Sequence, residues 1–72
     1  MTTVIDGRGM EPPEPLQRAL QALDELAAGD DVLMLLYCQP HPLFAALKER
    51  GCTWTDTLRA DGTREIRIQQ AR

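Results

Sequence analysis

The 72-residue chain has no serine, only two cysteines and a single histidine, and these shortages exclude several kinds of active site. A Ser–His–Asp triad cannot be built without serine. Cys38 and Cys52 are too few for a disulfide scaffold or a four-cysteine zinc site. Phosphate-binding loops are missing too, because Gly7-Arg8-Gly9 lacks the third glycine of a dinucleotide-binding loop and the lysine of a P-loop.

Long apolar runs and clusters of positive charge are also lacking. The longest apolar run, Val32 to Cys38, is far shorter than the roughly 20 residues of a membrane-spanning helix, and the first residues do not resemble a signal peptide. We therefore expect no membrane association and a cytoplasmic location, where both cysteines stay free. The net charge is -3 and the 8 basic residues are scattered, which argues against nucleic-acid binding.

What remains is an ordinary composition for a small globular protein, with 43% hydrophobic and 26% charged residues. We expect a single domain over residues 1–72. A chain of this length buries only roughly 60% of the surface that its unfolded form exposes, so its stability should be marginal. A homodimer would bury additional surface.

Six segments alternate in type along the chain. Apolar spacings of three and four predict helices, period-two alternation predicts strands, and Asp61-Gly62 predicts a hairpin turn. The predicted order is strand 3–6, helix 13–28, strand 32–37, helix 43–50, strand 52–59 and strand 65–69. This order predicts an α+β two-layer sandwich, in which a four-stranded mixed sheet carries two helices on one face.

Two strands have patterns that need comment. Segment 32–37 is apolar without alternation, which is typical of a strand that is covered on both faces or lies at the centre of a sheet. In the third strand, Cys52, Trp54 and Leu58 are expected to point inward. Asp56 falls on the same side, and the sequence offers no reason for a carboxylate there.

The segment Ile5-Asp6-Gly7-Arg8-Gly9-Met10-Glu11-Pro12-Pro13-Glu14-Pro15 resembles the opening of TusA/SirA-like sulfur carriers, which read Leu-Asp-x-x-Gly-Leu-x-Cys-Pro-x-Pro. Asp6, Gly9, Pro13 and Pro15 match in register. The element order and the terminal Ile-x-Ile strand are similar too. The resemblance thus covers nearly the whole chain and implies the TusA/SirA-like fold.

Pro12 stands where these sulfur carriers have their cysteine. In the carriers, the helix dipole lowers the pKa of that thiol and favours the thiolate that holds persulfide sulfur. Proline has no nucleophile, so persulfide transfer from this position is not expected. The Pro-Pro-Glu-Pro form resembles a related branch of unknown function. Its members occur beside hemerythrin-like domains and genes of respiratory or nitrogen-oxide metabolism, which implies a redox or metal context.

The candidate site lies where the first two strands end. If these strands are parallel neighbours, ligands are expected to bind outside their carboxyl ends. The candidate surface comprises Asp6, Arg8, Glu11, Glu14, Tyr37, Cys38 and His41. A plainer interpretation is that Asp6 caps a turn, Arg8 pairs with a nearby carboxylate, and the loop is solvated.

Cys38 and His41 are candidate ligands of a metal ion or a haem iron. Two ligands do not complete a structural zinc site, so Glu11 or Glu14 would have to join them. The plainer interpretation is a half-buried cysteine and an exposed histidine. No resident cofactor is expected.

The sequence therefore favours a non-enzymatic binding or regulatory module with a protein partner. One alternative is a sulfur-relay or redox protein that works through Cys38. A second alternative is an accessory subunit of a metalloprotein.

Overall fold

The structure is a computed structural model that describes residues 1–70, so the last two residues of the predicted domain lie outside it. Within this range the chain forms four strands and two helices. They are β1 (Thr2–Asp6), α1 (Glu14–Asp24), β2 (Asp31–Leu36), α2 (His41–Glu49), β3 (Thr53–Leu58) and β4 (Arg64–Gln69). The predicted order of elements is confirmed. Neither helix is long and apolar enough to cross a membrane.

The strands form one mixed sheet in the order β1-β2-β4-β3. β1 runs parallel to β2, with Ile5 opposite Met34, and β4 is antiparallel to both β2 and β3. A parallel pair needs a long crossover, and α1 supplies it between β1 and β2. The first two strands are thus parallel neighbours, the condition on which the candidate site depends, and the carboxyl ends of β1 and β2 lie side by side.

β2 lies at the centre of the sheet but is covered on one face only. Val32, Met34 and Leu36 are buried, whereas Leu33 and Leu35 are half-buried on the opposite face. Both helices pack on the face that carries the buried set, so the second face of the sheet is open. The missing alternation in the sequence comes from apolar residues on this open face.

A single core joins the helices to the sheet. Its buried members are Ile5, Ala19, Leu23, Val32, Met34, Leu36, Leu43, Leu47, Cys52, Ile66 and Ile68. Trp54 is half-buried at the rim of this core and stacks on Phe44, with ring centroids 5.2 Å apart, which joins α2 to β3. The predicted two-layer sandwich with both helices on one face is thus confirmed.

The first helix is shorter than predicted, since α1 ends at Asp24 and not at residue 28. The carbonyl of Leu23 at this end accepts hydrogen bonds from the Gln70 side chain at 2.7 Å and from the Leu26 N–H at 3.3 Å, so this carbonyl of the last turn is satisfied. Leu26 still packs against the core from an irregular segment. The apolar spacing therefore continues past the helix, and this continuation explains the overlong prediction.

Leu58 was expected to point into the core, but it is 58% exposed. It is the last residue of β3, which is an edge strand and pairs only with β4. Period-two alternation assigns a residue to one side of a sheet, but it does not tell whether a helix reaches that far along the strand.

Candidate functional site

The loop after β1 is held tightly against the end of β2. The Gly7 N–H donates to the Leu35 carbonyl at 2.8 Å and extends the pairing of the two strands beyond Asp6. A Cβ atom on Gly7 would lie 2.7 Å from Leu36 Cδ2, which is closer than such atoms approach. Glycine at this position therefore lets the loop lie directly on the end of β2.

Asp6 and Arg8 form a two-pronged ion pair on this loop. Arg8 Nε donates to Asp6 Oδ1 and Arg8 Nη2 donates to Asp6 Oδ2, each at 2.9 Å. The Arg8 backbone N–H adds a third hydrogen bond to Oδ1 at 3.2 Å. The pairing described by the plainer interpretation is therefore present. Tyr37 and Asp61 also lie near Arg8, and the Asp61 carboxylate adds to the negative potential around its guanidinium.

Hydrogen bonds from Arg8 shift the titration of Asp6. They lower the pKa of the Asp6 carboxyl from 3.8 to about 2, first through the guanidinium and then through the backbone N–H. The same pairing raises the pKa of Arg8 further above its ordinary value. Both side chains therefore stay charged across the physiological range, and each neutralises the other.

We expect the Arg8→Gln substitution to move the titration midpoint of Asp6 from about 2 back towards 3.8, because the carboxylate loses its charged donor. An NMR titration of the Asp6 carboxyl carbon measures this directly. The folded protein binds this proton less readily than the unfolded chain. The contribution of Asp6 to stability is therefore fully present above pH 3.8 and is lost as the pH falls towards 2.

Arg18→Gln is the matched control, because Arg18 pairs with Glu14 and not with Asp6. It should leave the Asp6 midpoint unchanged. An Asp6 midpoint that is the same in the wild type and in Arg8→Gln would contradict the ion pair.

A groove of about 250 Å³ lies on the helix-covered face of the sheet, next to the carboxyl ends of β1 and β2. Three segments meet in it: the start of α1, the end of β2 and the start of α2. Its lining residues are Pro12, Pro13, Pro15, Leu16, Leu36, Cys38, Gln39, Pro40, Pro42 and Leu43. Prolines are accommodated at helix starts because the first turn leaves its N–H groups unpaired in any case. Two proline-rich helix starts therefore produce an apolar wall on each side.

Cys38 is exposed and shares the groove with Pro12, the position of the cysteine in the sulfur carriers. The loop that carries Cys38 is anchored to the sheet. Gln39 Nε2 donates to Asp56 Oδ2 at 3.0 Å, and Arg64 Nη1 donates to both Asp56 oxygens at 3.1 and 3.2 Å. This network gives the inward-facing Asp56 of β3 its physical reason, which the sequence did not provide.

The other predicted site residues lie outside the groove lining. His41 begins α2 and rests edge-on against Phe44, with ring centroids 6.0 Å apart. Glu11 and Glu14 line a separate shallow hollow along the outer side of α1. In residues 1–70, no three His, Cys, Asp or Glu side chains come together as a metal site needs. Neither glutamate therefore completes a site with Cys38 and His41, as the metal hypothesis required.

The predicted cluster is thus divided between the two faces of the sheet. Asp6 lies opposite Leu35, on the open face, and it holds Arg8 there, whereas Cys38 belongs to the groove on the helix side. Sequence reasoning missed the apolar members of the groove, such as Leu16 and Leu43. The prolines before both helices were the available signal, because they mark two helix starts that can lie at the same end of a sheet.

The comparisons with known proteins agree with this architecture. No curated protein matches the sequence. The crystal structure of a SirA-like protein from Desulfitobacterium hafniense is similar, with 30% sequence identity and a TM-score of 0.83 over 94% of this chain and 95% of that one. Residues 4–70 match the family described as "Uncharacterized conserved protein (DUF2249)". The chain therefore belongs to the DUF2249 family and has the SirA-like fold.

Proposed function

We propose that this chain is a non-enzymatic binding module that holds an apolar side chain of a protein partner in the groove between the starts of α1 and α2. The groove itself carries the proposal, because prolines and leucines make up most of its lining. Its volume of about 250 Å³ lies below the ~300–1,000 Å³ of typical small-molecule sites. The size therefore suits a side chain of a partner better than a cofactor.

The walls of the groove favour recognition without rearrangement. Proline rings have few accessible conformations, so little conformational entropy is lost when a partner binds against them. Pro12 and Pro13 also line the neighbouring hollow, which contains Glu11, Glu14 and Arg18. Because Arg18 pairs with Glu14, Glu11 gives this hollow its negative charge. A partner with lysine or arginine beside its apolar side chain would complement this acidic flank.

We further propose that the partner belongs to a redox, respiratory or metal-related system. The support is the likeness of Pro-Pro-Glu-Pro to the branch that occurs beside hemerythrin-like domains and respiratory genes. The partner itself is defined here only by its chemistry, an apolar side chain next to a basic one.

Synthetic decapeptides test the binding proposal. One set carries leucine, methionine or phenylalanine beside lysine, and a second set carries the same apolar residue beside glutamate. We expect the lysine peptides to bind more tightly and to shift the NMR signals of Leu16, Cys38 and Leu43. Cys38→Tyr should abolish binding by filling the groove.

Thr55→Tyr is the matched control, since Thr55 is also exposed but lies on β3. It should bind the peptides as the wild type does. The proposal fails if no peptide shifts the groove signals at millimolar concentration, or if Cys38→Tyr binds as tightly as Thr55→Tyr.

A second candidate is a sulfur relay through Cys38, which is favoured by its exposed position in the same groove as Pro12. In this step the Cys38 thiolate attacks the terminal sulfur of a donor persulfide. The sulfur–sulfur bond of the donor breaks, a new one forms on Cys38, and the donor leaves as a thiolate. Sulfur and electrons balance without a further oxidant.

Mass spectrometry after incubation with cysteine and a cysteine desulfurase distinguishes the two functions. A relay predicts one added sulfur atom on Cys38, retained in Cys52→Ala and lost in Cys38→Ala. Cys52 is buried and serves as the internal comparison. If Cys38 gains no sulfur, the relay is excluded and the binding proposal is unaffected.

A further inference from the structure

The two edges of the sheet differ in how they are protected against pairing with another strand. Edge strand β3 carries Asp56 on its inner face, and an inward-facing charge is one device that blocks strand addition. Edge strand β1 has no proline, and its one charged residue, Asp6, lies on the open face, so β1 carries no inward-facing charge. The edge of β1 is therefore the unprotected one.

Alternation along β1 shows which backbone groups are free. On either side of β1, the Asp31 N–H donates to the Met1 carbonyl and the Gly7 N–H donates to the Leu35 carbonyl, so the odd-numbered residues direct their backbone groups towards β2. Successive residues of a strand direct their backbone groups to opposite sides. Thr2, Val4 and Asp6 thus direct their N–H and C=O groups towards the open edge.

We propose that β1 is a dimerisation edge, on which β1 of a second copy pairs antiparallel with Val4 opposite Val4. This alignment also places Thr2 of each copy opposite Asp6 of the other. All three residues have outward-facing backbone groups, so each pair exchanges both of its N–H···O bonds. This contact is symmetric about a two-fold axis. An identical strand therefore pairs with every outward-facing N–H and C=O group of this edge.

The side chains of β1 also suit pairing with β1 of a second copy. Val4 is 59% exposed on the open face of the sheet and lies opposite Leu33 of β2, which is half-buried. Pairing brings the two Val4 residues to a Cα separation of about 5.5 Å and merges the apolar surfaces of both copies. Asp6 lies opposite Thr2, whose hydroxyl donates to Asp31, and it keeps its own Arg8, so no unpaired like charges face each other. The resulting sheet continues through both copies.

The oligomeric state tests the proposal, with one matched pair of variants. Val4 and Leu58 are 59% and 58% exposed and lie on opposite edge strands. We expect analytical ultracentrifugation to show a wild-type dimer of twice the 8.1 kDa chain mass. Val4→Lys should weaken dimerisation at least about tenfold, because two lysines directly opposite each other repel. Leu58→Lys should leave the dimer intact.

Cross-linking tests the register, in a Cys38→Ala background that removes the exposed thiol. Val4→Cys should form a disulfide-linked dimer, since a Cα separation of about 5.5 Å is within disulfide range. Thr2→Cys should not, because in this alignment its two copies lie roughly 13 Å apart. A wild-type monomer at millimolar concentration, a Val4→Lys variant that dimerises like Leu58→Lys, or equal cross-linking at both positions would overturn the proposal.

Discussion

Replacing Ile66 with alanine is expected to lower the free energy of unfolding by about 3–4 kcal/mol, because the side chain is fully buried and its removal leaves a cavity. Ile66 lies on β4 between Met34 of β2 and Asp56 of β3. Small domains have total stabilities of only roughly 0.05–0.15 kcal/mol per residue, so this loss is a large share of the whole. Urea unfolding followed by circular dichroism measures it.

Leu58→Ala is the control for this experiment. Leu58 is 58% exposed, so its truncation should cost less than about 1 kcal/mol. Both variants are compared at one protein concentration, since dimerisation would make apparent stability depend on concentration. Equal losses for Leu58→Ala and Ile66→Ala would mean that Leu58 is part of the core, as its alternation in the sequence suggested.

Asp56→Ala should cost about 1–3 kcal/mol, because it leaves the guanidinium of Arg64 without its hydrogen-bond acceptor. The side chains of Asp56 and Arg64 are only 16% and 26% exposed, so solvent replaces the lost contact poorly. The same substitution frees Gln39 from the sheet. We therefore also expect faster alkylation of the Cys38 thiol next to it.

The matched control is Asp24→Ala, which breaks another aspartate–arginine pair. Asp24 accepts a hydrogen bond of 2.8 Å from Arg50, but the two side chains are 65% and 39% exposed. Its loss should cost about 0–1 kcal/mol, as for other surface pairs, and should not change Cys38 reactivity. If both substitutions have the same effect on stability and on alkylation, Asp56 does not anchor the groove.

Prediction from sequence succeeded where the signal is local. Proline and glycine residues at the ends of segments, together with the two periodicities, indicated six elements in the right order. It failed at Leu58 and at residues 25–28, where apolar spacing continued but the expected packing or helix did not. The spacing of apolar residues shows which residues lie on the same side of a strand or helix. Whether that side is buried depends on whether another element packs against it.

The candidate site was only partly predictable for the same reason. The candidate site required β1 and β2 to be parallel neighbours, which the sequence did not establish and the structure shows. However, Asp6 and Cys38 belong to different faces of the sheet, and neither Glu11 nor Glu14 joins His41 and Cys38 in a metal cluster within residues 1–70. Neither the pairing of distant strands nor the direction of each loop side chain follows from the spacing of residues along the chain.

The amino-acid pattern alone settles the order of strands and helices, the fold class and the proline in place of a sulfur carrier's cysteine, because each depends on neighbours along the chain. The packing of the elements settles the rest: the open face of the sheet, the anchoring of Asp56 by Arg64, and the groove that Cys38 shares with Pro12. These features join segments distant in sequence, and only the three-dimensional distances between such segments define them.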